Sequence, residues 1–306
     1  MSSARAALDR EAIEIPTGEP SLRRALLALT ALALTASLAV PIQAPLAAKD
    51  KITDAQAMAV VLANPARDAD RVRDAHRHPA ETLAFFKVRP GMTVVDYMPS
   101  GGWFTRVLVP YLGTSGRYIG LNPDVRNSTD GMKKAYSGLH DAWATKSAPW
   151  LAGRGGLAPS EAWNSDDLPG ELKGKVDRVL IMREVHNLWR YDLLRRELAT
   201  ISTLLKDDGL LGIEEHRGKD KSPAAYLDGS MGYMRQADVI ALIEACGYEL
   251  VGKSEVNANK KDPANHKGGV WMLPPNLSGV TDPAEKARLT EIGESDRMTL
   301  LFRKRR

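Results

Sequence analysis

The sequence predicts an α/β protein with a doubly wound, mostly parallel sheet that carries helices on both faces. Three observations favour this class. Short apolar runs rich in β-branched residues alternate with helix-length amphipathic segments along residues 92–256. A glycine pair follows the first run, and the later runs recur at the spacing of strand–helix–strand units. Hydrophobic residues make up 43% of the 306-residue chain, which excludes a wholly disordered protein.

The predicted strands share an apolar, β-branched centre and border turns rich in glycine, proline or aspartate. In chain order they are residues 92–97, 117–121, 176–182, 210–214, 248–256 and 298–302. The predicted helices place apolar side chains three or four residues apart. They cover residues 103–112, 131–146, 191–205 and 236–245.

The chain divides into three parts. Residues 1–48 are predicted to be a signal peptide or an uncleaved anchor, residues 49–79 an N-terminal helical extension, and residues 80–306 the sheet domain, with a loop insertion at 257–294. Within the first part, two arginines precede an uncharged apolar run that is shorter than a membrane-spanning helix needs. We therefore expect export to the periplasm, with membrane contact only if the signal stays uncleaved.

Charge and cysteine content exclude several classes of function. The last four residues, Arg303 to Arg306, account for the formal net charge of +4, so the body of the chain is close to neutral. A nucleic-acid-binding face would need clustered basic and aromatic residues, which are absent from the sequence. Cys246 is the only cysteine, which excludes an intramolecular disulfide and a multi-cysteine metal site. The sequence contains no G-x-S-x-G motif, which would indicate a serine hydrolase.

Residues 79–124 carry a resemblance to a known family, and they read PAETLAFFKVRPGMTVVDYMPSGGWFTRVLVPYLGTSGRYIGLNPD. They resemble the first strand–helix–strand unit of class I S-adenosylmethionine-dependent methyltransferases, and more narrowly a bacterial group of exported methyltransferase-like proteins. The resemblance extends through 176–188, 204–217 and 238–251, and so covers most of residues 65–256. It implies a Rossmann-like sheet of seven strands, of which the last is antiparallel.

The resemblance also implies S-adenosylmethionine as the cofactor. Glycines after the first strand allow the backbone to approach the cofactor, and the following helix adds donors for its carboxylate. The predicted cofactor-binding residues are Asp96, Tyr97, Gly101, Gly102, Asn122, Asp166 and Asp167.

Three positions depart from the pattern of that family. Met98 and Ser100 stand where glycine is usual, and Asn122 stands where an acid usually accepts both ribose hydroxyls. An amide accepts such hydrogen bonds without the charge assistance of a carboxylate. Together with the export signal, these departures support a second hypothesis, in which a catalytically retired methyltransferase-like fold serves as an exported ligand-binding module.

Histidine and glutamate side chains follow the predicted strands at 176–182 and 210–214, where this fold presents residues to substrate. Glu184, His186 and His216 are the candidate catalytic residues, because methyl transfer needs a group that takes a proton from the acceptor. Arg235 and Glu215 are the candidate substrate contacts. His186, His216 and Glu215 could also meet around a metal, but they lack fixed ligand spacing and we assign none.

We expect the methyl acceptor to be a small molecule. The nearly neutral body argues against nucleic acid, and the loop at 257–294 is long enough to close over a small acceptor. No feature of the sequence indicates an oligomeric state.

Overall fold

The computed structural model of the chain describes residues 52–305, which belong to one compact unit. The predicted signal segment, residues 1–48, lies outside the described residues. Among the residues that are described, no helix combines the length and the apolar character needed to cross a membrane.

Seven strands form one sheet in the order β3-β2-β1-β4-β5-β7-β6. In chain order they are β1 (Thr93–Tyr97), β2 (Arg117–Asn122), β3 (Ser160–Asn164), β4 (Val176–Met182), β5 (Leu205–His216), β6 (Tyr248–Ser254) and β7 (Arg297–Lys304). β7 runs antiparallel to its neighbours β5 and β6, and the other pairings are parallel. The predicted fold class is therefore confirmed, including the antiparallel last strand.

Helices precede the sheet and connect its strands. In chain order they are α1 (Asp54–Ala63), α2 (Asp68–Arg71), α3 (Asp74–Arg77), α4 (Pro79–Phe85), α5 (Thr105–Leu112), α6 (Asp130–Tyr136), α7 (Leu139–Leu151), α8 (Val185–Arg190), α9 (Leu194–Leu204), α10 (Ala224–Leu227), α11 (Gln236–Ala245) and α12 (Pro283–Ile292).

The sheet is buried on both faces, which explains the continuous apolar runs of its central strands. Val95 and Tyr97 of β1 belong to one buried cluster, together with residues of α9 and α11. Val94, which precedes Val95 in the strand, belongs to a second cluster with residues of α1, α5 and α7. Successive side chains of a strand point to opposite faces, so the two clusters lie on opposite sides of the sheet.

The N-terminal helices pack on the sheet domain. Thr53 caps the start of α1, and its side chain accepts a hydrogen bond from the backbone N–H of Gln56 in a capping box. Arg106 of α5 forms an ion pair with Asp70 of α2, with an Nε to Oδ2 distance of 2.5 Å. The extension is thereby attached to the helix that follows β1.

The structure differs from the sequence-based predictions in four elements. The helix predicted at 131–146 is divided into α6 and α7 by Ser137 and Gly138, and Gly138 has a positive φ of 66°. β3 was missed because Ser160–Asn164 is short and polar and lies at the edge of the sheet. The predicted loop at 257–294 contains α12, which begins after the cap Asp282. The helix predicted at 191–205 begins only at Leu194, because a turn with a positive φ at Asp192 separates it from α8.

The carboxyl ends of β1, β4 and β5 meet at one edge of the sheet. Because β7 is antiparallel, its first residue, Arg297, pairs with His216 at the end of β5. The residues immediately before β7 are therefore brought to the same edge as the loops that follow the parallel strands.

Candidate functional site

A cavity of about 400 Å³ opens at the carboxyl ends of β1 and β4, where the strand order reverses. Open α/β sheets bind ligands at such a point. The segment that joins β6 to β7 contributes to the lining through Trp271 and its neighbours. The predicted site residues that line the cavity are Asp96, Gly101, Glu184, His186 and His216.

The loop after β1 has the backbone of a glycine loop, although Met98 and Ser100 occupy positions where glycine is expected. The φ angles of Met98, Ser100 and Gly102 are 54°, 48° and 72°, all in the left-handed region. A residue other than glycine costs about 1–3 kcal/mol in such a conformation. Gly101 faces open space, since a Cβ built on it would meet no atom within 4 Å. The loop thus presents its backbone to the cavity at the cost of strain in two residues.

Gly102 is needed for packing inside the protein. A Cβ built on it would lie 2.4 Å from the indole of Trp150 on α7. The space beside this glycine, where the sequence analysis places the cofactor, is therefore filled by an aromatic ring.

The predicted ribose contact, Asn122, has partners within the protein. Its Nδ2 donates to the backbone carbonyl of Tyr136 at 2.9 Å, and Asn164 donates to the same carbonyl at 2.7 Å. Tyr97 is fully buried and donates its hydroxyl hydrogen bond to Glu197 at 2.9 Å. Neither predicted residue lines the cavity.

Apolar side chains are buried beyond the ends of β1 and β2, where ribose and adenine are expected. Met98, Val125 and Met132 belong to one buried cluster, and Met98 is only 4% exposed. Asp166 and Asp167, the predicted adenine contacts, lie at the surface outside the cavity. In this structure the residues present therefore do not fit the adenosyl half of S-adenosylmethionine.

Asp96 is a buried carboxylate at the end of β1. Its Oδ2 accepts hydrogen bonds from the hydroxyls of Tyr118 at 2.8 Å and Thr105 at 3.4 Å. Burial raises the pKa of Asp96 to about 6, because it outweighs the opposing effect of these hydrogen bonds. The side chain therefore changes between its neutral and its charged form at a pH only slightly below neutral.

Two histidines and a glutamate form a cluster beside the cavity. Nδ1 of His186 lies 3.0 Å from Oε1 of Glu215, and the backbone N–H groups of His186 and His216 donate to the same carboxylate. Nδ1 of His216 lies 2.6 Å from Oγ of Ser295. Glu215 is fully buried and lies behind the histidines, so this predicted substrate contact does not line the cavity.

The two histidines differ in their affinity for a proton. Burial lowers the pKa of His186, but the charge of Glu215 outweighs burial and raises that pKa above its ordinary value. Burial, followed by the neighbouring charge of His186, lowers the pKa of His216 well below its ordinary value. His186 is therefore the proton carrier of the pair, and His216 is the neutral imidazole.

Glu184 faces the cavity from the turn after β4. Its carboxylate accepts hydrogen bonds from Asn187 at 2.7 Å and from Ser100 at 3.4 Å. Burial raises the pKa of Glu184. The side chain therefore exchanges a proton with a ligand more readily near neutral pH than an exposed glutamate does.

Buried arginines form another part of the wall, and sequence reasoning missed them. Glu294 pairs with Arg73 at 2.6 Å, with Arg77 at 3.1 Å and with Arg297 at 3.1 Å. Arg77 is the last residue of α3 and is only 5% exposed. Its burial follows from its pairing with Glu294, which no local sequence pattern indicates.

The same arginine network continues to a second glutamate. Glu214 is fully buried and pairs with Arg183 and with Arg297, both at 3.0 Å. Four arginines thus share two glutamates, so two positive charges of the network have no carboxylate of their own. Arg183 follows β4 directly, and this position is the one sequence signal that could have identified it.

Arg235 does not reach the cavity. It pairs with Asp238 at 2.9 Å and with Asp220 at 3.9 Å in front of α11. The structure therefore does not bring this predicted substrate contact to the site.

Solved structures similar to the chain include S-adenosylmethionine-dependent methyltransferases. One from Aquifex aeolicus is 17% identical with a TM-score of 0.44, over 68% of this chain and 94% of that chain. The Burkholderia thailandensis 1,6-didemethyltoxoflavin-N1-methyltransferase, with bound 1,6-didemethyltoxoflavin and S-adenosylhomocysteine, is 17% identical with a TM-score of 0.42, over 87% and 94%. No protein-family model and no curated protein matches the chain. The fold follows from the strand order, and a shared fold does not by itself establish an activity.

Proposed function

We propose that the protein is an exported small-molecule-binding protein built on the methyltransferase fold. One observation carries the proposal: a polar cavity remains at the ends of β1 and β4, while Met98, Val125 and Met132 are packed in a buried cluster where the adenosyl group is expected. The cavity volume of about 400 Å³ is in the range of small-molecule sites. This function corresponds to the second of the two hypotheses drawn from the sequence.

The arginines in the lining favour a ligand whose anionic group binds on their side of the cavity, which is also lined by the carboxylates of Asp70, Asp96, Glu184 and Glu294. Arg77 and Arg183 line the cavity and belong to the network in which four arginines share two glutamates. A bound anion stabilises such guanidinium groups, and their fork of donors suits a carboxylate or a phosphate. Glu184 and His186 line the same cavity and can exchange a proton with the ligand.

The transfer of a methyl group from S-adenosylmethionine to a small molecule is the second candidate. It is favoured by the left-handed φ angles of Met98, Ser100 and Gly102 and by the open space beside Gly101. Glu184 or a cavity histidine would then take the proton of the acceptor. This candidate requires the side chains beyond β1 and β2 to move aside when the cofactor binds.

Calorimetry and thermal melting with S-adenosylmethionine and S-adenosylhomocysteine distinguish the two candidates. A ligand present at one hundred times its Kd stabilises a protein by about 2.7 kcal/mol, which raises the Tm by about 5–10 °C at this size. We expect neither heat of binding nor a rise in Tm with either compound at millimolar concentration. A rise of that size would overturn the proposal and support the methyltransferase.

Small carboxylates and inorganic phosphate test the anionic part of the proposal. We expect at least one of them to raise the Tm of the wild-type protein and to have no effect on Arg183→Met. Arg126→Met is the matched control, because that guanidinium is 67% exposed and lies outside the cavity. An anionic ligand would be contradicted if none of these anions raised the Tm of the wild-type protein. It would also be contradicted if they raised the Tm of Arg183→Met by as much as that of the wild-type protein.

Export is supported by the apolar run at 25–40 behind Arg23 and Arg24. Fractionation of cells that produce the tagged protein is expected to recover it in the periplasm, without its signal peptide or attached to the inner membrane. Recovery of full-length soluble protein from the cytosol would contradict export.

A further inference from the structure

We infer that His186, His216 and Glu215 form a binding site for a divalent transition-metal ion. The inference goes beyond the proposed function, because it does not depend on which small molecule enters the cavity. Each of the three side chains offers one ligand atom, and these atoms all lie within 4.8 Å of one another. Metal–ligand distances of about 2.0–2.2 Å allow one ion to reach such a set after small side-chain rotations.

The hydrogen bond of His216 orients its ring for metal binding. Nδ1 of His216 lies 2.6 Å from Oγ of Ser295 and can donate to it, which leaves Nε2 free to bind an ion. Histidines that bind metals usually carry such a partner on the second ring nitrogen. Ser295 comes from the residues before β7, so a separate part of the chain supports the same ligand geometry.

Glu215 is a buried carboxylate in contact with both histidines. Within residues 52–305 its only ion pair is with His186, whereas the adjacent Glu214 pairs with two arginines. Backbone N–H groups of His186 and His216 hold the carboxylate at 3.0 and 2.7 Å. The carboxylate is therefore positioned before an ion arrives, and a divalent cation would compensate its buried charge.

The ligand set and its position indicate an open metal site. Two imidazoles and one carboxylate suit Zn²⁺ or Fe²⁺ rather than Mg²⁺ or Ca²⁺, which prefer oxygen ligands. Three protein ligands leave at least one coordination position for water or a ligand. His186 and His216 both line the cavity, so that open position would face its interior.

Titration with ZnCl₂ and CoCl₂ tests the site in the purified full chain after treatment with a chelator and dialysis. Calorimetry is expected to give one ion per chain, and the visible absorption of Co²⁺ should show nitrogen and oxygen ligands. His216→Gln and Glu215→Gln should lower the affinity at least tenfold. Ser295→Ala should lower it about tenfold, as the loss of an orienting partner does.

His140→Gln is the matched control. Its imidazole stacks on Trp163 outside the cavity, so the replacement should leave metal affinity unchanged. Circular dichroism and the Tm establish whether each variant folds. If a ligand variant does not fold, Ser295→Ala decides the question.

Two results would overturn the inference. The first is no binding by the wild-type protein at about 100 micromolar metal, a concentration well above the Kd of ordinary protein zinc sites. The second is unchanged affinity in folded His216→Gln or Ser295→Ala.

Discussion

The indole of Trp150 packs against the backbone of Gly102, so closely that a Cβ on this glycine would lie 2.4 Å from the ring. Gly102 also has a φ of +72°, which side chains rarely adopt. Gly102→Ala must therefore displace an indole and strain the backbone. We expect the variant to lose about 2–4 kcal/mol of unfolding free energy in urea titrations.

Gly101→Ala is the matched control for this prediction. A Cβ on Gly101 meets no atom within 4 Å, so the variant should unfold within about 0.5 kcal/mol of the wild-type protein. Equal destabilisation of both variants would contradict the assignment of Gly102 to packing with Trp150.

Asp96 should destabilise the native state at neutral pH. Its pKa of about 6 lies above the ordinary value of 3.8, so the folded protein binds its proton more tightly than the unfolded chain does. The stability contributed by this proton is lost as pH rises from about 4 to 6 and is absent above that range. Asp96→Asn should therefore be more stable than the wild-type protein at pH 7, by about 1–3 kcal/mol.

Urea titrations at intervals from pH 4 to pH 8 test the role of Asp96. The amide of Asp96→Asn can keep the hydrogen bonds with Tyr118 and Thr105, so the difference between the proteins should vanish near pH 4. A difference that is independent of pH would show that the charge of Asp96 is not its cause.

Glu294 should stabilise the native state at neutral pH. Burial raises its pKa, but the charges of the paired arginines, Arg77 first among them, outweigh burial and hold the pKa at about 2. The stability contributed by Glu294 is complete above its ordinary pKa of 4.5 and is lost as pH falls towards 2. Glu294→Gln should lose about 3 kcal/mol at pH 7.

The pH profile of unfolding tests the contribution of Glu294. The loss in Glu294→Gln should shrink below pH 4.5. Glu285→Gln is the control, because Glu285 pairs with Arg288 at the surface and its replacement should leave stability nearly unchanged. A loss that is as large at pH 3 as at pH 7 would exclude the ion pairs as its cause.

Replacement of Ser100 by glycine should not lower the stability of the protein. Its φ of 48° strains the backbone, and its side chain is exposed, so Ser100→Gly should raise the unfolding free energy by about 0.5–1 kcal/mol. Ser100→Ala keeps the strain and loses the hydrogen bond to the carbonyl of Met98, so it should be less stable than the wild-type protein. The reverse order of the two variants in urea titrations would contradict strain at this position.

The strands around the site could be predicted because their sequences contain the signal. β1 and β4 bury β-branched and apolar residues on both faces, and the short length of these runs and their β-branched residues favour strands over buried helices. β3 could not be predicted, since Ser160–Asn164 reads SEAWN and is paired only on one side. α12 did leave a signal that was missed, because Asp282 precedes Pro283 and Glu285 in the pattern of a capped helix start.

The candidate site could be predicted only where its residues follow parallel strands. Glu184, His186 and His216 lie within a few residues of strand ends that the apolar pattern locates. Arg77 and Glu294 could not be paired from the sequence, because 217 positions separate them and neither lies beside a predicted strand end. Their pairing depends on how the N-terminal helices and the segment before β7 fold against the sheet.

Because β7 lies between β5 and β6, the connection that lines the cavity joins two neighbouring strands. β6 ends at Ser254 and β7 begins at Arg297, and the two strands are paired neighbours. Ser254 pairs with Thr299, two residues beyond Arg297, so the connection starts and finishes about 8 Å apart. Closing a longer or shorter connection between fixed ends costs little entropy, so the part of this connection before Glu294 can change in length, and with it the ligand selectivity, while Glu294 and Ser295 keep their contacts beside the sheet.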